Sequence, residues 1–178
     1  MEAGGHIGKL TTMTLVPQVV DALDIPVIAA GGIADGRGMA AAMMLGAEAI
    51  QMGTRFIAAK ETNVHPEFKQ RVIKASDIET VITGNILGHS VRLFRNQLTT
   101  DYIALEKDLL VNNGENLEPL EELTIGSLKR AVEEGDTVRG SMMAGQISGL
   151  IQEEKTCRDI ILDTMQEFSE VIKKFKTI

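Results

Sequence analysis

Residues 26–36 read PVIAAGGIADG, and this stretch decides the fold class. Its first half is an unbroken apolar run that opens on Pro26, which is typical of a parallel strand buried on both faces. Two glycines follow, and Asp35 is a suitable N-cap for an Ala- and Met-rich helix over residues 38–45. A second buried strand is predicted over residues 49–52, before another glycine. This order of strand, glycine loop, helix and strand is the βα pattern of a parallel sheet.

The rest of the chain is predicted to be mostly helical. Helices are predicted up to about residue 23, with Thr11, Thr12 and Thr14 as candidate N-caps, and over 66–74 and 99–111. Residues 120–134 predict a short acidic helix or two, and Cys157 opens the last helix. Residues 80–94 are predicted to be irregular or extended, and residues 111–116 form a turn-rich linker. In the last helix, apolar side chains spaced by 4, 3, 4 and 3 residues predict the face turned to the core: Ile161, Met165, Phe168, Ile172 and Phe175.

Composition and charge exclude several classes of function. The 178 residues include 18 Lys and Arg against 25 Asp and Glu, for a net charge of −7, with no Trp and one Tyr. A nucleic-acid partner is therefore not expected, because such partners need basic faces and stacking aromatics. Cys157 is the only cysteine, and the three histidines lack metal-ligand spacing, so no metal site is expected. No apolar run reaches the roughly 18 residues of a membrane span, so we expect a cytoplasmic protein without a membrane partner.

Two glycine-rich loops, residues 31–36 and 52–55, each close a predicted strand. In a (β/α)8 barrel the loops after the last two strands commonly bind phosphate, because glycine admits the anion to backbone N–H groups and the next helix N-terminus adds positive charge. Thr54 would add a hydroxyl donor. The G-x-G-x-x-G pattern is absent, so a Rossmann fold is not supported. The alternative is that these turns need glycine only for a positive φ.

His6 lies in a third glycine-rich loop, over residues 4–8. Histidine exchanges protons near neutral pH, which makes His6 a candidate for proton transfer. The alternative is a loop histidine that only makes a structural hydrogen bond.

Four motifs carry a resemblance to a known family. They are EAGGHIG at residues 2–8, PVIAAGGIADG at 26–36, QMGTRF at 51–56 and MAGQ at 143–146. The same motifs occur in this order in the FMN-dependent nitronate monooxygenase superfamily, also called the 2-nitropropane dioxygenase superfamily. Within it, the chain most resembles the flavin-dependent enoyl-acyl-carrier-protein reductases II. The resemblance extends over essentially the whole chain.

The resemblance implies an α/β fold, namely the C-terminal part of an FMN-binding (β/α)8 TIM barrel with a mostly helical subdomain and a C-terminal helix. Residues 1–60 would form the last βα units, 61–140 an inserted substrate or lid region, and 141–178 the Ala-Gly-Gln segment and a helix that packs back on the barrel. Family members have several βα units before the first motif, and a complete barrel needs at least roughly 200 residues. We therefore expect this chain to be an incomplete piece of the enzyme.

The resemblance also implies a site. His6 matches the active-site histidine of the family, near the flavin and the substrate carbonyl. The FMN-binding positions are Gly4, Gly5, Ala30, Gly31, Gly32, Gln51, Met52, Gly53, Thr54 and Gln146. The implied reaction reduces the double bond of an enoyl-acyl-carrier protein or enoyl-CoA in bacterial fatty acid synthesis, with NADH or NADPH as reductant. His6 would hydrogen-bond the thioester carbonyl or deliver a proton, and the sequence does not choose between these roles. A homodimer is a further expectation.

Three alternatives stay open at this point. Within the family, a nitronate monooxygenase would use the same histidine as a base on a nitroalkane. In a different class, the chain would be a non-catalytic fragment or a helical interaction module. A phosphate-sugar-binding barrel without flavin would use the same glycine loops, but the MAGQ segment and the long helical tail argue against it.

Overall fold

A computed structural model describes residues 1–112 and 116–175. Its strands and helices, in chain order, are β1 Gly5–His6, α1 Thr12–Ala22, β2 Ile28–Ala30, α2 Gly36–Met44, β3 Ala49–Gln51, α3 Thr54–Ile57, α4 Pro66–Ile73, β4 Thr80–Thr83, β5 Val91–Phe94, α5 Gln97–Val111, α6 Glu118–Thr124, α7 Ser127–Val132, a 3₁₀ helix Gln146–Leu150 and α8 Cys157–Phe175. The predicted linker at 111–116 lies partly outside the described residues. The acidic segment after it forms two short helices, α6 and α7.

Strands β2 and β3 pair in parallel, with Ala29 opposite Ile50, and this confirms the βα pattern predicted from residues 26–52. Helices α1 and α2 cover one face of the pair, where Val16 and Ala42 pack with Ala29. The prediction that β2 is buried on both faces is wrong, since Ile28 is 62% exposed. In the described part of the chain, the core of this pair lies on one side of β2 only.

The segment predicted as irregular or extended is an antiparallel hairpin. Strands β4 and β5 pair from Thr80 opposite Phe94 to Thr83 opposite Val91. Strand β1 adds to the other side of β5, with His6 opposite Val91. The hairpin therefore fixes the backbone of the first glycine-rich motif, which a single short strand could not do alone.

A second apolar core lies beneath this hairpin. It joins α4, β5, α7 and the segment that follows α7, and its largest fully buried members include Val72, Phe94, Met142 and Ile151. Helix α5 begins with a capping box in which the Asn96 side chain accepts from the N–H of Thr99, and the Thr99 hydroxyl accepts from the N–H of Asn96. This second unit carries the region that follows the βα units.

Helix α8 packs on α2 with a face that overlaps the predicted one only in part. Phe168 and Ile172 of the predicted stripe are half-buried, whereas Ile161, Met165 and Phe175 are exposed. The fully buried residues are Ile160 and Thr164, which the stripe did not include. The reason is the close approach at Gly36, where any side chain would collide with the backbone of α8. The contact face is thus rotated by about one residue from the apolar stripe. Although α8 has 19 residues, neither it nor any other helix in residues 1–112 and 116–175 is apolar enough along its length to cross a bilayer.

Candidate functional site

The four motifs meet around a pocket of about 290 Å³, which we call the glycine pocket. Most of the predicted cofactor-binding residues line it: Gly4 and Gly5 from the first motif, Gly31 and Gly32 from the second, and Gln51, Met52, Gly53 and Thr54 from the third. Met143 and Gly145 of the MAGQ segment also line it, as does Glu2 of the first motif. Segments far apart in sequence therefore form one site.

Hydrogen bonds from Glu2 and Thr12 hold the first two loops together. The N–H of Thr12 donates to Glu2 Oε2 at 2.6 Å, and Thr12 Oγ1 donates to the carbonyl of Gly31 at 2.6 Å. Thr11 occupies the N-cap position of α1, but its side chain makes no capping bond. Glu2 thus supplies the acceptor that a capping side chain would normally provide.

Gly32 lies directly against the Glu2 carboxylate. A Cβ at Gly32 would lie 2.9 Å from Glu2 Cδ, and the residue has a φ of +73°. Both the left-handed backbone and the close contact require glycine here. The neighbouring Gly31 also has a positive φ, of +99°, so this pair forms a turn that other residues would strain.

The MAGQ segment passes between the first and third loops. The N–H of Gly145 donates to Thr54 Oγ1 at 2.9 Å, and the N–H of Gln146 donates to the carbonyl of Glu2 at 2.9 Å. A Cβ at Gly145 would lie 2.7 Å from that carbonyl oxygen. Because Thr54 Oγ1 accepts in this bond, its own proton can donate to a ligand oxygen in the pocket.

The wall at Gly53 is open to a ligand. The nearest side-chain or backbone atom to a Cβ built there is Gln51 Nε2, at 3.9 Å, so a side chain at this position would extend into free space. The Glu2 carboxylate also lines this cavity and would repel an anion, although it already accepts from the N–H of Thr12. The glycine backbone at Gly31 and Gly53 and the hydroxyl of Thr54 suit an oxyanion, and these residues fit the phosphate end of FMN.

The amino end of α2 contributes less positive charge than the sequence predicts. The N–H of Gly36 donates to Glu167 Oε2 at 2.8 Å, and those of Arg37 and Gly38 donate to Asp35 Oδ1 at 3.0 and 3.1 Å. Burial of Asp35 opposes its ionisation, but hydrogen bonds from Arg37 and Gly38 outweigh it, and the pKa of Asp35 is lowered. Protein carboxylates thus occupy the first N–H groups of this helix.

His6 lies beside a second pocket of about 280 Å³, which we call the apolar pocket. Its imidazole is exposed, while the pocket wall includes Leu93, Leu98 and Tyr102, each no more than 4% exposed. Met143 lines both pockets, and His6 follows directly after Gly5 of the glycine pocket. The candidate proton-transfer residue is therefore located between the two cavities.

Besides His6, two predicted site residues, both cofactor-binding, do not line the glycine pocket. Ala30 is exposed on β2, opposite Gln51 in the parallel pair. The side chain of Gln146 is exposed at the start of the 3₁₀ helix, and only its backbone N–H joins the loop network. No three His, Cys, Asp or Glu side chains gather as metal ligands within the described ranges, 1–112 and 116–175.

Sequence reasoning gave no role to Glu2 or Gly145, although both lie in quoted motifs. The signal for Gly145 was its place between alanine and glutamine, where glycine permits close approach of two backbones. The signal for Glu2 was weaker, since a carboxylate ten residues before a helix start does not identify itself as a capping group.

Comparison with known proteins then decides the family. The model of the nitronate monooxygenase family matches residues 1–167. The chain belongs to this family. A "Probable nitronate monooxygenase" from Staphylococcus saprophyticus is 32% identical over 187 residues, which cover 97% of this chain and 50% of that protein.

Solved structures agree with this assignment. FabK from Thermotoga maritima superposes with a TM-score of 0.91 at 51% identity, over 99% of this chain and 55% of that chain. Nitroalkane oxidase from Streptomyces ansochromogenes superposes with a TM-score of 0.75 at 27% identity, over 98% and 51%. These matches confirm the α/β TIM-barrel class and the resemblance to the enoyl reductases. The family comprises FMN-dependent flavoproteins, and this chain spans about half the length of the relatives it matches.

Proposed function

We propose that the chain is the part of an FMN-dependent enoyl-acyl-carrier-protein reductase that holds the flavin phosphate and one wall of the substrate site. The observation that carries this proposal is the glycine pocket, which gathers four separate motifs beside His6. The similarity to FabK, at 51% identity against 27% for the nitroalkane oxidase, supports enoyl reduction over nitroalkane oxidation.

In this proposal the backbone at Gly31, Gly32 and Gly53 surrounds the FMN phosphate, and the Thr54 hydroxyl donates to it. The chemistry that bound FMN supplies is two-electron transfer from NADH or NADPH to the carbon–carbon double bond. His6 would either donate a hydrogen bond to the thioester carbonyl, where negative charge develops, or deliver a proton to carbon. The bond between Gly145 and Thr54 fixes the hydroxyl on the pocket wall.

The organisation expected from the sequence stays part of the proposal. Residues 1–60 would carry the phosphate loops and 61–140 the substrate or lid region, and 141–178 would be the Ala-Gly-Gln segment and the C-terminal helix that packs back on the barrel. The substrate would be an enoyl-acyl-carrier protein or enoyl-CoA. Because NADH and NADPH are reductants of the cytoplasm, we expect the reaction to take place there, and a homodimer stays a prediction.

The test has two arms, both in the presence of FMN. The first is anaerobic oxidation of NADH and of NADPH with crotonyl-CoA as the electron acceptor, and the second is oxygen uptake in air with a nitroalkane and no nicotinamide. We expect crotonyl-CoA to be reduced and the nitroalkane to be inert. We also expect the 178-residue chain to be weakly active or inactive compared with FabK, because it covers only 55% of that protein. Oxidation of the nitroalkane alone would favour a nitronate monooxygenase.

Two variants separate the proposed roles. His6→Ala should lower turnover while flavin content stays unchanged, because the imidazole lies outside the glycine pocket. Gly53→Leu should lower flavin content first, because the new side chain would fill free space in that pocket. Equal loss of flavin in both variants would contradict a catalytic role for His6. A colourless chain that takes up no FMN in excess would support a non-catalytic module instead.

A further inference from the structure

The apolar pocket has no role in the phosphate site, and its position next to His6 suggests a ligand. Its buried end is formed by Leu93, Leu98 and Tyr102, and its open end lies at the exposed His6. One wall is the loop between β4 and β5, which is tied to α5 by the N–H of Ile86 donating to Glu106 Oε1 at 3.0 Å. The cavity therefore has buried apolar side chains in its wall and lies beside the exposed candidate catalytic residue.

Four of the hydroxyl groups in the pocket wall are already hydrogen-bonded within the protein. Ser127 Oγ donates to the carbonyl of Thr124 at 2.7 Å, so the 2.7 Å contact between the two serine hydroxyls uses the proton of Ser141. Thr124 Oγ1 donates to the carbonyl of Glu121 at 3.0 Å, and Thr99 Oγ1 donates to that of Asn96 at 2.9 Å. These four hydroxyls do not need a hydrogen-bonding ligand.

Tyr102 does not bring charge into the cavity. Burial raises the pKa of its phenol, and the carboxylates of Glu106 and Glu121 raise it further. The ring is therefore neutral at physiological pH. Four bonded hydroxyls and a neutral ring beside Leu93 and Leu98 favour an aliphatic occupant in this part of the pocket. The hydroxyl of Thr83 and the imidazoles of His6 and His89 also line the pocket and can bond polar atoms of a ligand.

We infer that the apolar pocket binds the aliphatic acyl chain of the thioester substrate, with the thioester carbonyl at its mouth beside His6. This inference rests on the proposed function, and it adds a site for the part of the substrate that does not react. The depth of the pocket, from the mouth to Leu98 and Tyr102, would then set which chain lengths bind best.

The test uses a reporter that the chain already contains. Tyr102 is the only tyrosine, and there is no tryptophan, so intrinsic fluorescence reports on this pocket alone. The probes are saturated acetyl, butyryl, hexanoyl and octanoyl thioesters of N-acetylcysteamine, which need neither flavin nor turnover. Each methylene that enters the pocket should tighten binding about fourfold until the cavity is full. We expect octanoyl to bind at least tenfold more tightly than butyryl, and equal affinity for both would overturn the inference.

A matched pair of substitutions locates the effect. Leu128 lines the pocket and is 46% exposed, so Leu128→Phe can narrow the cavity without entering the core. It should weaken octanoyl binding at least tenfold and butyryl binding less than threefold. Leu110→Phe makes the same change at a 65% exposed position on the helix that carries Tyr102. It should leave the affinities for the octanoyl and the butyryl thioester unchanged. Identical octanoyl affinity in the two variants would overturn the inference.

The outcomes separate this inference from the proposed reductase activity. Reduction of crotonyl-CoA together with a flat chain-length series would keep the reductase and remove the acyl pocket. A steep chain-length series without flavin uptake or enoyl reduction would keep the acyl pocket and remove the reductase. If circular dichroism shows that Leu128→Phe is unfolded, the chain-length series on the unmodified chain still tests the inference.

Discussion

Replacing Gly145 with alanine tests whether the MAGQ segment holds the glycine pocket together. A Cβ at this position would lie 2.7 Å from the carbonyl oxygen of Glu2, 3.1 Å from the nitrogen of Gly4 and 3.2 Å from the carbonyl carbon of Ala3. All three atoms belong to the backbone, so no side chain can rotate away to make room. The first motif must therefore move away from residue 145.

That movement has a calculable cost. It would strain or break the bonds from Gly145 to Thr54 and from Gln146 to Glu2, each worth about 1 kcal/mol net. Overpacking of the backbone contact adds about 1–3 kcal/mol. We therefore expect Gly145→Ala to lower the free energy of unfolding by about 3–5 kcal/mol.

Urea unfolding followed by circular dichroism measures this loss, and Gly8→Ala is the matched control. Gly8 lies at the end of the same first motif, but a Cβ there would meet no atom within 4 Å. Its free energy of unfolding should stay within about 1 kcal/mol of the unmodified chain. If Gly145→Ala costs no more than Gly8→Ala, the close packing of the first motif against the MAGQ segment is refuted.

Two further predictions concern charged groups. Lys69→Met should lower the free energy of unfolding by about 2–3 kcal/mol, because the buried ammonium donates to the carbonyls of Ala59 and Lys60 at 2.7 and 3.3 Å. Urea unfolding measures this loss. The control is Lys60→Met at an exposed side chain, which should leave the free energy of unfolding nearly unchanged. Asp35→Ala should cost about 1 kcal/mol at pH 7 through the lost cap. Since the pKa of Asp35 is lowered by folding, its charge stabilises the fold above its ordinary value of 3.8 and loses this effect as the pH falls further. The difference in free energy of unfolding between Asp35→Ala and the unmodified chain should therefore narrow as the pH falls from about 5 to about 3, roughly one unit on either side of 3.8. A difference that stays constant across this range would contradict a role for the charge.

The βα units could be predicted from sequence because local signals agree there. The apolar run before Gly31 and the cap at Asp35 fix a strand and a helix from neighbouring residues alone. The glycine pocket could be predicted only through the motifs, because spacing does not reveal which loops meet. The structure adds the connecting bonds, from the N–H of Thr12 to the Glu2 carboxylate and from the N–H of Gly145 to Thr54 Oγ1.

The remaining features depend on long-range packing. The hairpin of β4 and β5 has only four residues in each strand, so its pairing with β1 leaves little periodicity to detect. The face of α8 was predicted from its own apolar stripe, but the close approach of α2 at Gly36 turns Ile160 and Thr164 inward instead. The exposure of Ile28 likewise depends on which segments pack on the sheet, and the local sequence of the strand does not reveal this.

The central claim is that the glycine pocket binds the phosphate of a flavin. The most direct measurement compares the affinity of the chain for FMN and for riboflavin, which lacks the phosphate, by quenching of flavin fluorescence. Charge-assisted hydrogen bonds at the phosphate should make FMN bind at least tenfold more tightly, and Gly53→Leu should abolish that difference (about 1.4 kcal/mol or more). Equal affinity for FMN and riboflavin, or a preference for FMN that survives Gly53→Leu, would contradict the claim.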